Sequence, residues 1–290
     1  MFLSLLCLPE CRLQIIPKKE SIISFILGTV TLLIGFLITR LIYLFDAGID
    51  KGLLLGILCG AMTSTPALAT ICESGEISAD LATLGYGISY LFGVISVVIF
   101  VQSFSEKSEK KVCYTLKEYS NTGWECDCLL CISTVSLSGY ILHAINNTLS
   151  ISGYILLCGI IVGRIIGTRN TIKQKLSAYL PTYRNIGLLL FFVGNGITAG
   201  RLFNTELIFK WLLYGILISA GAIICGNIVG RIFLKENLSA RMCIIAEGMT
   251  STPALSVLIR KSNDNINATA YSFSYLGALL TITLGIRFIL

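Results

Sequence analysis

The stretch GLLLGILCGAMTSTPALATIC, Gly52 to Cys72, is long and apolar enough to cross a bilayer, yet three hydroxyl residues and a proline stand together at its middle. Its central heptapeptide, Met62-Thr-Ser-Thr-Pro-Ala-Leu68, recurs unchanged at Met249 to Leu255. A second motif follows each copy: Tyr86-Gly-Ile-Ser-Tyr-Leu91 after the first and Tyr271-Ser-Phe-Ser-Tyr-Leu276 after the second, with a two-residue difference in the intervening segment. Two motifs in the same order point to internal duplication rather than coincidence.

The chemistry of the heptapeptide predicts a broken helix. Pro66 and Pro253 lack an N–H and clash with the preceding turn, which frees the carbonyls of Met62 and Met249. Thr65 and Thr252 are placed to cap a new half-helix with proline at its first position. Freed backbone groups at membrane depth are tolerated only where protein or a water-filled cavity satisfies them. The pattern therefore predicts a polar site lined by Thr63, Ser64, Thr65, Thr250, Ser251 and Thr252. Positive helix ends and hydroxyl donors suit a carboxylate.

Composition sets the solvent. Of 290 residues, 54 % are hydrophobic and 13 % charged, against roughly a quarter charged in a soluble domain. Apolar runs of bilayer-spanning length recur. Eight spans can be drawn: Ile22 to Phe45, Gly52 to Cys72, Gly85 to Phe104, Ser150 to Gly167, Ile186 to Phe203, Leu207 to Phe233, Arg241 to Leu258 and Ala268 to Leu290. A polar interval, Ser105 to Ser136, separates the third span from the fourth. The expected organisation is a first transmembrane repeat over 1–105, a polar linker over 106–148 and a second repeat over 149–290. The heptapeptides fall in spans two and seven, five spans apart, so the copies enter the membrane in opposite directions, the pattern of an inverted repeat. The expected fold is an all-α polytopic membrane protein of about eight transmembrane helices built from such repeats.

The net charge of +6 comes from Lys and Arg clusters between spans, at 107–117, 169–175 and 231–241. That is membrane-protein charge and argues against a nucleic-acid partner. The clusters fall on opposite sides, so the positive-inside rule sets no orientation. Met1 to Leu8 lacks a basic n-region and a small-residue cleavage site, so the first span is expected to serve as the insertion signal. Cys113, Cys126, Cys128 and Cys131 could in principle supply four thiolates to zinc, but the spacing is not that of a paired zinc ribbon. They are read as reduced structural cysteines, and no metal or cofactor is expected. Cys59, Cys72, Cys158, Cys225 and Cys243 lie in spans and read as small packing residues.

Together the segments Gly60-Ala-Met-Thr-Ser-Thr-Pro-Ala-Leu68 and Glu247-Gly-Met-Thr-Ser-Thr-Pro-Ala-Leu255, each followed by a Tyr-containing helix, resemble the paired motifs of the aspartate:alanine exchanger family. The resemblance covers most of Ile22 to Phe104 and Ser150 to Leu290. It implies exchange or proton-coupled movement of small carboxylates or amino acids, on a fold similar to sodium/proton antiporters with crossed, interrupted helices. Such relatives look like five spans per half and often carry soluble regulatory domains between the halves. Three spans precede the polar interval here, so the expectation is a chain shortened at its N-terminus and lacking those domains.

Further residues join the expected site. Pro66 and Pro253 shape it, Tyr90 and Tyr275 come from the second motif, and Asn195, in Gly194-Asn-Gly196, could line a polar path. Asn195 and Asn227 are equally explained by small-residue helix packing with an interhelical hydrogen bond. Glu247, the only acidic residue in a drawn span, stands where the first copy has Gly60. It is the candidate for carrying a coupling proton; the alternative is an ion pair with Arg231 or Arg241. Arg40 and Arg201 are expected to snorkel to the interface, the Gly159, Gly163 and Gly167 spacing to pack helices, and His143 to be solvated or capping.

The sequence thus reads as a secondary active transporter, antiporter-like, moving a small anionic or zwitterionic metabolite across a cell membrane by alternating access. A homodimer is expected, since carriers of this architecture commonly pair. The alternative is a non-transporting membrane scaffold or sensor component derived from such a carrier. No His–metal cluster, Ser–Lys dyad or pair of aspartates in the spans supports an enzyme.

Overall fold

A computed structural model describes residues 18–74, 77–104, 125–146, 205–233 and 238–251, with scattered positions across 151–200 and 254–286. Among the described residues the regular structure is entirely helical: α1 Lys18–Phe45, α2 Lys51–Ala61, α3 Thr65–Ser74, α4 Ala79–Phe104, α5 Glu125–Ile145, α6 Thr205–Phe233 and α7 Leu238–Gly248. Three stretches, Ile22–Phe45, Ala79–Ser103 and Leu207–Phe233, are long and apolar enough to cross a membrane. At about 1.5 Å per residue each exceeds a hydrocarbon core of roughly 30 Å. Their outward faces are apolar, as lipid requires: Ile26, Leu33, Leu37 and Leu44 are exposed on α1, and Leu213, Leu217, Ile224 and Ile228 on α6. The protein is a polytopic membrane protein.

The chain divides into two compact units, Met1–Arg12 with Val112–Gly194, and Leu13–Lys111 with Asn195–Leu290. The second unit contains both heptapeptides. At its centre lies α2, buried at every position from Gly52 to Ala61. Asp50 starts it, accepting from the N–H groups of Gly52 at 2.7 Å and Leu53 at 3.2 Å. A helix buried on all sides needs neighbours that approach its backbone, and glycines spaced by four provide them. A methyl group built on Gly56 would collide with the Ala82 carbonyl, and one on Gly60 with the Ser89 hydroxyl and the Tyr86 carbonyl. From the opposite side, one on Gly85 would strike the Leu53 carbonyl, and one on Gly93 the carbonyls of Gly60 and Ala61. Thus α2 and α4 pack backbone to backbone. The ridge Gly52, Gly56, Gly60 that permits this is a sequence signal that hydropathy alone does not weigh.

In the same unit, α1 meets α6 and α7 through further glycines. Gly226 and Gly248 approach Thr31. Beyond the end of α1, Asp46 accepts from Lys210 Nζ at 2.7 Å and from the Tyr214 hydroxyl at 3.0 Å, which ties that end of α1 to the start of α6.

The first unit corrects one expectation. Helix α5, Glu125–Ile145, occupies part of the stretch read as a polar interval and linker, and Leu129–Ile145 within it is apolar. Its hydroxyls had disguised it. Ser133, Thr134 and Ser138 donate to the carbonyls of Leu130, Cys131 and Val135, each three residues back, at 2.9–3.0 Å. Hydroxyls satisfied within their own helix do not oppose an apolar environment. Val135 and Cys158 form a buried cluster with Cys131, Ile132, Ile155 and Val162 around it.

Candidate functional site

The expected break in the second drawn span is present, between α2 and α3. Thr63 adopts φ 53° in the left-handed region. The Thr63 N–H donates to Gly60 O at 2.9 Å and the Ser64 N–H to Cys59 O at 2.8 Å. That pair of bonds is a Schellman cap, which satisfies the last carbonyls of α2 and turns the chain away. Glycine ordinarily fills the left-handed position. A β-branched residue there is a marked outlier, at a cost of roughly 1–2 kcal/mol.

The second heptapeptide ends α7 with the same turn. Thr250 adopts φ 52°. Its N–H donates to Glu247 O at 2.7 Å, and the Ser251 N–H donates to Ala246 O at 3.0 Å. The two breaks also hold each other: Thr63 Oγ1 donates to Met249 O at 2.8 Å, and Thr250 Oγ1 donates to Met62 O at 3.1 Å. The carbonyls that proline chemistry frees are therefore satisfied by the other copy. Because each threonine serves its partner's methionine, the contact is isologous, as across a local two-fold axis.

The second motif repeats the pattern. Ser89 Oγ donates to Ile57 O at 2.9 Å, and Ser274 Oγ donates to Ile244 O at 2.8 Å. Ile57 and Ile244 each stand five residues before their heptapeptide. The shared serine of Tyr-x-x-Ser-Tyr thus pins a helix beside each break, a role that the repeated spacing carried but that hydroxyl counting at the heptapeptide overlooked.

Within this arrangement Thr63, Ser64, Thr250 and Ser251 are buried, Thr65 is half-buried, and Pro66 is buried in the first turn of α3. One local assignment is corrected. Helix α3 begins at Thr65, and Ser64 O accepts from Leu68 N–H at 3.3 Å, so Ser64 and not Thr65 occupies the cap position. The left-handed turn at Thr63 moves the break one residue earlier than proline alone suggests. Tyr90 is half-buried and stacks on Tyr86 with ring centroids 5.1 Å apart; Tyr275 is buried beside Ser274. Glu247 is fully buried in the last turn of α7, and Arg241 is buried further back on the same helix. Thr252, Pro253, Asn195 and Arg201 lie outside the described residues, as does Cys113 of the cysteine cluster. Arg40 is exposed and lies over the Tyr43 ring at 5.9 Å. His143 faces the Tyr154 ring at 6.1 Å. Among the described residues, no three His, Cys, Asp or Glu side chains are grouped to hold a metal ion.

Membrane-crossing helices around two mutually bonded, proline-associated breaks define the class, a polytopic membrane protein. The chain matches a family described as Predicted Permease Membrane Region (Asp-Al_Ex) over residues 15–106 and 131–290, and it belongs to that family. It is similar to an uncharacterized transporter of Bacteroides fragilis, 47 % identical over 55 residues, 19 % of this chain and 10 % of the relative. It is also similar to an uncharacterized transporter of Rhodopirellula baltica, 42 % identical over 81 residues, 27 % of this chain and 14 % of the relative. The aligned stretches span only a small part of these relatives' length. No solved structure matches the chain.

Proposed function

We propose that this permease is a secondary active exchanger of small carboxylates or amino acids, of the aspartate/alanine kind, working by alternating access around the two paired breaks. The reciprocal Thr63 and Thr250 hydrogen bonds carry the reading. Two copies of one broken segment, joined as equals, are what inverted repeats of opposite membrane orientation would bring to a shared central site. Rocking one repeat against the other exposes that site to each side in turn. The positive end of the half-helix starting at Thr65 favours a carboxylate. Glu247, buried where the first copy has glycine, breaks the symmetry and is the candidate proton carrier. The setting is a multi-pass protein of the cell membrane, with a homodimer as the assembly.

The test is counterflow. The full chain in proteoliposomes is loaded with unlabelled aspartate, alanine or a dicarboxylate, and uptake of the labelled compound is followed. Saturable exchange that depends on internal substrate supports the reading. Folded, inserted protein that exchanges none of them refutes it and favours the scaffold alternative.

A further inference from the structure

Four hydroxyls, at two pairs of equivalent positions in the heptapeptides, divide into two kinds. Thr63 and Thr250 spend their protons on the Met249 and Met62 carbonyls. Ser64 and Ser251, one residue further on, are fully buried, and among the described residues neither Oγ has a hydrogen-bond partner. A buried hydroxyl left unpaired loses its water and regains nothing. That loss is incurred twice, at equivalent positions of two copies. Ser64 adds a second anomaly. It holds the cap position of α3, ten residues long, where a side-chain oxygen ordinarily accepts a first-turn N–H, and it does not do so.

The charge around the break selects the ligand. On the α2 side, the carbonyls of Cys59, Gly60 and Met62 are already taken by Ser64 N–H, Thr63 N–H and Thr250 Oγ1. Few acceptors remain there for a cation. On the α3 side stands a helix start without its side-chain cap, next to an unused donor, and such ends favour acceptor-rich, negatively charged groups.

We propose that Ser64 and Ser251 are the specificity-determining hydroxyls, each donating to carboxylate oxygen of the transported molecule, while Thr63 and Thr250 are positioning residues that keep the two breaks in register. This rests on the carrier reading above and assigns its contacts.

Two measurements on the full chain in lipid nanodiscs test it: thermal unfolding without ligand, and equilibrium binding of labelled L-aspartate and succinate. Ser64→Ala and Ser251→Ala should each weaken binding on the order of ten- to a hundredfold, the worth of a hydrogen bond to a charged group. Neither should lower the melting temperature, because each removes an unpaired polar atom; Ser64→Thr, which keeps the hydroxyl, should recover binding. Thr63→Val and Thr250→Val should lower the melting temperature. If the serine variants melt as early as the threonine variants, the serines are structural and the proposal is overturned. If the parent chain binds a probe and both serine variants bind it equally well, the proposal falls while the carrier reading stands. If the parent chain binds neither probe, the carboxylate reading fails and takes the proposal with it.

Discussion

Replacing Thr63 by valine tests the paired breaks with the least disturbance of shape. Valine keeps the β-branch, and so keeps whatever the left-handed backbone costs, but it cannot donate to Met249 O. Water does not reach that carbonyl to replace the lost donor, since Met249 is wholly buried and Thr63 is 7 % exposed, and Pro253 has no N–H to offer. Hydrogen bonds between membrane helices average about 0.6 kcal/mol and reach about 1.7. A buried carbonyl left unsatisfied costs roughly 1–3 kcal/mol. The second situation applies, so the loss should be about 1.5–2 kcal/mol. Thr63→Gly removes the same bond but releases strain of roughly 1–2 kcal/mol, offset in part by the added freedom of the unfolded chain, about 0.5–1 kcal/mol. Glycine, the smaller residue, should therefore be the less damaging change, by about 0.5–1 kcal/mol. Combining Thr63→Val with Thr250→Val should cost less than the sum, because loss of one reciprocal bond already loosens the other. Equilibrium unfolding by SDS titration in mixed micelles gives all four values. A neutral valine variant, a glycine variant less stable than valine, or strict additivity would each refute the reasoning.

Gly60→Ala should prevent close assembly of α2 on α4, because its methyl group meets the Tyr86 carbonyl and the Tyr90 backbone N–H as well as Ser89. Gly87→Ala, with nothing within 4 Å of the added carbon, should be neutral or slightly stabilising through helix propensity, and the same unfolding titration compares the two. At the end of α1, the hydrogen bond from Lys210, aided by Tyr214, holds the Asp46 carboxyl below its ordinary value of 3.8. Its contribution is thus fully present above that ordinary value and is lost as pH falls through the lowered one. Acid-unfolding curves of Asp46→Asn should lack this limb. The advantage of the parent protein at neutral pH should shrink with added salt, since Lys210 is 48 % exposed. Glu247→Gln, which keeps the shape and removes the titrating group, should leave substrate exchange in place while abolishing its dependence on a pH gradient, measured by uptake under imposed pH steps.

How much of this was legible from the sequence differs from residue to residue. Helix α5 was hidden because hydropathy counts Ser133, Thr134 and Ser138 as polar wherever they point, whereas bonded to their own helix they are nearly inert. The packing of α2 was present as Gly52, Gly56 and Gly60, yet spacing alone does not say which partner approaches; the Ala82, Tyr86 and Ser89 backbone does. The cap shifted from Thr65 to Ser64 because proline chemistry reports where a helix cannot continue, while the left-handed Thr63 decides where it stops.

By itself, the sequence determined the membrane class, the duplication and the two proline-associated breaks, since these follow from local properties: apolar length, an identical heptapeptide and a residue without an N–H. It also identified the carbonyls of Met62 and Met249 as needing partners. Only the tertiary structure decided what those partners are. A sequence can show that a hydroxyl is present, but not whether its proton is already committed. That depends on which atom of a distant segment comes within 3 Å, and here it separates threonines that hold the two breaks together from the two serines that remain unpartnered.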